Sequence, residues 1–418
     1  MENEKSILQR RSFLKKITAA GLGSVLASAK AQENNQNQEK TQKNELPQVP
    51  TRKLGKTGAE VPCLSIGLMY DLRDNQIMLR QALRWGVNYW DTSNGYAGGN
   101  SERGIGKFFK NNPDARKKIF LVTKASGART VTQVEKLLQT SFKRMNTDYI
   151  DLYFGVHGLG HPSQLTDELK QWVIDAKKKK KIRFFGFSTH ENMAQNLMAA
   201  SKLDWIDAIM TSYNFRFMLD PALSAAVEAC HKAGIGVVAM KTQGKPVWEI
   251  ETEADKWVLT EQEKKLTENL HKRGFTEAQA NIKLVMDDTR FSSVCAGMTN
   301  IAQLLENIAV TFDKTKLSQK DIELYKQYAE ATCSGYCAGC ANICNAAVSG
   351  ITHINDIMRY LMYYNSYGDR DRVRELFAKL PHSTKDKLLT ADYTLAEARC
   401  PQNMPIGKLM AEAVRKLA

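Results

Sequence analysis

Ile119-Phe-Leu-Val-Thr-Lys124 and Ile150-Asp-Leu-Tyr-Phe-Gly-Val-His157 decide the fold. Each is a short apolar run that ends in a polar, chemically capable side chain, and residues 131–145 between them carry apolar positions at helical spacing. Strand, amphipathic helix and strand make a βαβ unit with parallel strands. Working outward, the alternation recurs. Candidate strands lie at 63–68, 87–90, 119–123, 150–156, 182–187, 206–210, 236–239 and 291–295, with helices near 76–85, 101–110, 131–145, 165–179, 192–202, 221–232 and 276–287. The pattern predicts an α/β chain folded as a (β/α)8 TIM barrel. A doubly wound sheet is the alternative, but it needs a phosphate loop after its first strand. No GxxxxGK[ST] occurs, and Gly104-Ile-Gly106 and Gly234-Ile-Gly236 lack the third glycine. Residues 51–61, with Gly55 and Gly58, suit a small hairpin lid.

A barrel gathers the ends of its strands at one mouth, so Asp91, Tyr96, Lys124 and His157 can meet although the sequence separates them. A free tyrosine, with a pKa of about 10, is a poor proton donor and acceptor near neutrality until a cation favours its phenolate. Lys124 is expected to supply that cation, Asp91 to hold Lys124 charged, and His157 to hydrogen-bond or orient a substrate oxygen. The set suits protonation of a carbonyl oxygen as hydride reaches its carbon.

These residues sit in a longer ordered series: Arg52-Lys-Leu-Gly-Lys-Thr-Gly58 with Val61-Pro62, Asn88-Tyr-Trp-Asp-Thr-Ser93 with Gly95-Tyr96 and Ser101-Glu102, Val122-Thr-Lys124, Thr147-Asp-Tyr-Ile-Asp-Leu-Tyr153 before His157, Lys181-Ile-Arg183, Gly186-Phe-Ser188, and 297–307. Over residues 50–310 the chain resembles the aldo-keto reductase superfamily. The resemblance implies a catalytic tetrad of Asp91, Tyr96, Lys124 and His157, with Tyr96 as general acid-base, an NADP or NAD cofactor across the mouth, and a small-molecule carbonyl or alcohol substrate. It places the cofactor on Ser188, Thr189, Met210, Met240, Lys241, Gly297, Met298, Thr299, Gln303, Glu306 and Asn307. Thr189 stands where the family usually has Asn, Met210 where Gln is common, and Met240 where many members stack an aromatic ring. Asn300 stands where NADP-preferring members carry Lys or Arg; Lys241 or Lys245 could reach a 2′-phosphate instead.

The ends of the chain carry other signals. Gln9-Arg10-Arg11-Ser12-Phe13-Leu14-Lys15-Lys16 leads into a short Ala- and Gly-rich stretch, so 1–31 resembles a twin-arginine signal peptide and 32–50 reads as a polar flexible linker. Export through the twin-arginine machinery to the periplasm of a Gram-negative bacterium is the expectation, with the cofactor loaded before export. The barrel is placed at 51–330 and a small helical, ferredoxin-like extension at 331–418. Within that extension, helices are expected at 354–364, 370–380 and 395–417.

Cys333, Cys337, Cys340 and Cys344 hold half of the eight cysteines of the chain. Their spacing suits a [4Fe-4S] cluster, a four-thiolate zinc site, two disulfides, or a structural remnant of such a site. The segment, with Arg399-Cys-Pro-Gln402, resembles the extension of a ferredoxin-bearing subgroup of the same family. A cluster would be structural or would relay electrons to a redox partner. An exported iron-sulfur electron-transfer protein whose barrel binds a ligand with little turnover is therefore the alternative to a reductase. The net charge of +14 is scattered without a nucleic-acid-binding motif, so no nucleic acid partner is expected. The insert at 245–270, rich in Glu and Lys, reads as a rim element of the barrel.

Overall fold

Runs such as Phe120–Lys124 are buried along their whole length, as a parallel strand must be when helices cover one face and a packed interior the other. The computed structural model describes residues 46–418 apart from 246, 248–252, 273, 315 and 352. The expected signal and most of the expected linker lie outside the described residues. An antiparallel hairpin, β1 (Thr51–Lys53) and β2 (Glu60–Pro62), comes first. Eight parallel strands then close on themselves: β3 (Leu64–Gly67), β4 (Tyr89–Asp91), β5 (Phe120–Lys124), β6 (Ile150–His157), β7 (Ile182–Thr189), β8 (Ala208–Ser212), β9 (Gly236–Met240) and β10 (Phe291–Gly297), the last pairing back to β3.

The first six helices follow β3 to β8 in turn: α1 (Gln76–Arg84), α2 (Asn100–Asn111), α3 (Val131–Met145), α4 (Asp167–Lys178), α5 (Met193–Ala200) and α6 (Pro221–Lys232). Between β9 and β10 the chain makes α7 (Glu253–Lys272) and α8 (Glu277–Met286), and α9 (Ile301–Thr311) follows β10. The helix ends have local causes. Thr130 accepts from the Gln133 N–H to cap α3, and Asp220 accepts from Ala222 and Leu223 with Pro221 at the first position of α6. A run of helices ends the chain: α10 (Gln319–Ala331), α11 (Ala341–Ala347), α12 (Ile354–Ser366), α13 (Arg370–Ala378), α14 (His382–Lys385), α15 (Thr394–Arg399) and α16 (Ile406–Leu417). The single helix expected at 395–417 is therefore two. Pro401 and Pro405 lack backbone donors and separate them.

Strand periodicity decides which side chains reach the barrel axis. Tyr89, Phe120, Val122, Leu152, Phe154, Ala208, Met210, Val238 and Cys295 form the interior cluster. Their neighbours Trp90, Leu121, Tyr153, Phe185 and Phe187 face the helices. The inward parity carries on to Asp91, Lys124, Ser188 and Met240 at the strands' C-terminal ends. β6 is the exception that makes the rule useful. Its pairing with β7 shifts between Phe154 and Val156, so His157 joins the inward set although Leu152 and Phe154 have the other parity.

The hairpin is not a lid over the mouth. Leu54 is fully buried in the interior cluster and lies against Gly236, where a Cβ would meet the leucine side chain at 2.5 Å. Lys56 N–H donates to the Gly234 carbonyl (2.6 Å), just before β9 begins. β1 and β2 thus plug the N-terminal end of the barrel, opposite the mouth, where burying Leu54 contributes about 2 kcal/mol.

Candidate active site

At the mouth, Lys124 Nζ donates to Asp91 Oδ1 (2.5 Å) and to the Thr92 carbonyl (2.8 Å), and both charged side chains are almost fully buried. Burial works against the Lys124 charge, but Asp91 and Tyr96 outweigh it and hold the ammonium above its ordinary pKa. Lys124 Nζ lies 4.8 Å from the centroid of the Tyr96 ring. The ring of His157 meets that of Tyr96 edge-on at 6.1 Å. The four expected residues are thus brought together.

The Tyr96 loop is held from below. Glu102, fully buried on α2, accepts from Thr123 Oγ1 (2.7 Å) and Arg144 Nη1 (3.2 Å), and Arg144 also donates to the Asn94 carbonyl (2.7 Å). After Tyr96 the chain turns through left-handed Ala97, Gly98 and Gly99 (φ 48, 62 and 90) into α2. For Ala97 that conformation costs about 1 kcal/mol and fixes how the loop leaves the phenol.

The Tyr96 pKa runs against the expectation from sequence. Burial pushes the phenol up, Lys124 pulls it down, Asp91 pushes it up again and Arg372 pulls it down; the net is above the ordinary tyrosine value. In the ligand-free chain Tyr96 is a protonated acid. His157 is pushed far the other way by burial, then by the charges of Lys124, Arg372 and Arg359, so its imidazole is neutral.

Sequence reasoning missed two serines. His157 Nδ1 lies 2.5 Å from Ser126 Oγ, which lies 2.5 Å from Ser93 Oγ, and the Ser126 N–H donates to Asn94 Oδ1 (2.7 Å). When Ser93 donates to Ser126 and Ser126 to Nδ1, the imidazole proton stays on Nε2, free for a substrate oxygen. The position of Ser126 just past Lys124 at a strand end was the available signal.

The expected cofactor residues divide. Ser188 is buried, accepts from the Gly158 N–H (3.2 Å) and shares the inward parity of the mouth. Thr189 has the opposite parity; its hydroxyl donates toward the Leu159 and Glu191 carbonyls (both 2.8 Å) and accepts from Asn196. It braces the loop. Met210 lies within the barrel interior and Met240 is half-buried against it. Lys241 does not reach outward: its ammonium sits 4.1 Å and 4.6 Å from the ring centroids of Tyr363 and Tyr367. Gly297 is exposed, and a Cβ there would meet nothing within 4 Å. Beside it Thr299, Asn300, Gln303 and Glu306 form an exposed edge at the start of α9, while Asn307 is half-buried and Met298 is buried, its carbonyl accepting from Tyr70 OH (2.6 Å). Asn300 caps α9 by accepting from the Gln303 N–H, and Gln303 accepts from Thr299.

The C-terminal helices dock on this same end of the barrel. Asn192 N–H donates to the Gly339 carbonyl (2.7 Å), Val247 N–H to the Gly335 carbonyl (2.7 Å) and Asn214 to Tyr336 OH (3.0 Å), while Asn355 donates to Glu191. Arg372 of α13 lies over Tyr96, its guanidinium carbon 5.6 Å from the ring centroid.

Cys400 acts on three of the four expected cysteines. All eight are free thiols, and among the described residues no group of three or more His, Cys, Asp or Glu is arranged to hold a metal. Cys337, Cys340 and Cys344 each feel the charge of Cys400, whereas Cys333, in the turn that follows α10, acts on Arg216. The packing of α11 against α15 brings Cys400 in. Burial pushes the Cys340 thiol up to about 11 and that of Cys344 to about 12.

A model of the aldo/keto reductase family matches residues 67–330. The chain belongs to this family. It is 29% identical over 221 residues to an NADP(+) aldo-keto reductase of Schizosaccharomyces pombe, covering 47% of this chain and 62% of that one. It is 24% identical to the L-glyceraldehyde 3-phosphate reductase of Escherichia coli over 66% of this chain and 92% of that enzyme. Among solved structures, the holo aldo-keto reductase of Bacillus halodurans shares the fold, with a TM-score of 0.55 and 23% identity over 68% of this chain and 97% of that one. The match thus spans less than two thirds of the yeast relative's length.

Proposed function

We propose that this aldo/keto reductase family member is a nicotinamide-dependent oxidoreductase that interconverts a small carbonyl compound and its alcohol. The observation that carries this reading is the buried Asp91–Lys124 pair beneath Tyr96, with a neutral His157 at the ring edge. Tyr96 donates its proton to the substrate oxygen in reduction and regains it in oxidation, and the Lys124 ammonium stabilises the phenolate left between the two. His157 offers Nε2–H to that oxygen and orients the carbonyl.

The residues fit a nicotinamide dinucleotide. Ser188 keeps a buried hydroxyl with inward parity, Gly297 leaves open space beside the start of α9, and the Thr299 to Asn307 edge offers amide and carboxylate groups suited to an adenosine. When bound, the cofactor supplies the hydride. With Lys241 held by two tyrosines and Asn300 spent as a helix cap, the choice between NADP and NAD falls to direct measurement. The test is nucleotide release on denaturing fresh protein, then turnover on a panel of sugars, aldehydes and ketones. Tyr96→Phe is expected to abolish turnover and keep nucleotide binding; activity undiminished in that variant would overturn the reading.

We further propose that residues 1–31 are a twin-arginine signal that sends the protein to the periplasm, 32–50 a linker, 51–330 the barrel and 331–418 a ferredoxin-like extension. The second reading, an exported iron-sulfur electron-transfer protein, is supported by the convergence of Cys337, Cys340, Cys344 and Cys400, and by Cys337 lining a small cavity with Lys241 and His190. These thiols are not set as a metal cage, so no step is drawn through a cluster. Anaerobic purification with iron and sulfide analysis decides it, and iron-free protein with full turnover would remove it.

A further inference from the structure

Arg372 is the cation at the mouth that the proposed chemistry leaves unused. Its neighbours are committed. Lys124 is paired to Asp91, Arg359 donates to Asp356 Oδ1 (2.5 Å), and Lys241 lies over Tyr363 and Tyr367. Among the described residues Arg372 pairs with Asp369, at 3.5 Å from Nη1; its side chain is 31% exposed, yet that nitrogen is out of water and makes no hydrogen bond. Leaving a dry guanidinium N–H without a hydrogen bond is costly, and the planar fork of an arginine is the natural partner of a carboxylate or phosphate. The same guanidinium lies over the ring whose hydroxyl is to protonate the substrate. A group that docks on Arg372 lies beside Tyr96, within reach of a substrate whose oxygen meets that hydroxyl. The net charge of +14 would draw such a substrate in.

We propose that Arg372, delivered to the mouth by the C-terminal helix α13, is a specificity residue that binds an anionic group on the substrate, so that the enzyme selects carbonyl compounds bearing a carboxylate or phosphate. This rests on the carbonyl-reductase reading. Under it the C-terminal helices complete the substrate pocket, and α13 contributes a contact that no strand end of the barrel supplies. Arg372 also lowers the Tyr96 and His157 pKa values, so a role exerted only through Tyr96 has to be separated from anion binding.

A matched pair of aldehydes, 4-carboxybenzaldehyde and benzaldehyde, makes that separation. The wild type is expected to favour the carboxylate by at least about tenfold in kcat/KM, the size of one charge-assisted hydrogen bond, mostly through KM. Arg372→Gln is expected to bring that ratio toward one, and Arg372→Lys to restore part of it. A wild type that prefers benzaldehyde, an unchanged ratio in Arg372→Gln, or an equal loss on both aldehydes would overturn the proposal; the last would assign Arg372 to Tyr96 alone. If the wild type turns over neither aldehyde, the panel of sugars, aldehydes and ketones decides the reductase reading separately. Binding of 4-(hydroxymethyl)benzoate against benzyl alcohol, followed by tryptophan fluorescence, then decides Arg372: carboxylate affinity lost in Arg372→Gln supports it, and equal affinity in both proteins rejects it. A nativelike circular dichroism spectrum and melting curve for Arg372→Lys excludes misfolding as the cause.

Discussion

Lys124 and Asp91 form a 2.5 Å ion pair with both partners out of water. Such a pair is costly to break from one side, because the survivor is a buried, uncompensated charge. Lys124→Met is expected to destabilise the fold by about 3 kcal/mol and to lower kcat by about a thousandfold. The double variant Asp91→Asn with Lys124→Met should recover much of the stability and none of the activity. Urea unfolding and steady-state kinetics check both halves, and equal stability of the single and double variants would contradict the pairing.

Burial, with Asp91 added, keeps the Tyr96 phenol above its ordinary pKa in spite of Lys124 and Arg372. The sign follows directly. The protonated acid that reduction needs persists up to and beyond about pH 10, whereas oxidation needs the phenolate and should rise with pH over the same range. Profiles of kcat/KM in the two directions test this. A reduction rate that falls between about pH 7 and 9 would show that Lys124 wins over burial in the working enzyme.

The barrel was legible because eight apolar runs alternate with amphipathic ones, and each run is long enough to carry its own period. Residues 131–145 and 221–232 fold as the helices their spacing predicts. The tetrad was legible because strand ends converge whatever the loops do. Thr189 differs from Ser188 by one residue of strand parity and bonds the loop carbonyls, a placement sequence does not display, and His157 reaches the mouth only through the register shift at Gly155. The Tyr96 pKa was misjudged because sequence displays the cation and hides the burial. Arg372 could not be found at all, and Cys400, though its segment stood out, could not be joined to Cys337, Cys340 and Cys344: each reaches its partners through the docking of helices far along the chain, and no local pattern encodes that.

Ser126 Oγ lies 2.5 Å from His157 Nδ1, and a serine that donates there leaves the imidazole proton on Nε2. Ser126→Ala should lower kcat by about tenfold, near the net worth of one hydrogen bond, with little change in nucleotide affinity. Ser126→Thr keeps the hydroxyl and should retain most of the rate. Loss of activity in both variants to the same degree would assign Ser126 a packing role instead.

Histidine burial gives the protein a pH-dependent stability. His157 and His190 are both driven well below their ordinary value of 6.5, in each case first by burial and then by nearby cations. A folded pKa below the unfolded one means that the unfolded chain binds more protons as pH falls through about 6.5, so stability drops toward acid from there until the folded value is reached. Each such histidine contributes a slope of about 1.4 kcal/mol per pH unit in that window. His157→Gln should remove one such slope, leaving that of His190, while above about pH 7.5 the variant and the wild type should run parallel. Unfolding free energies measured from about pH 4.5 to 8 would show it, and an unchanged acid slope in His157→Gln would mean that His157 takes up its proton while the protein remains folded.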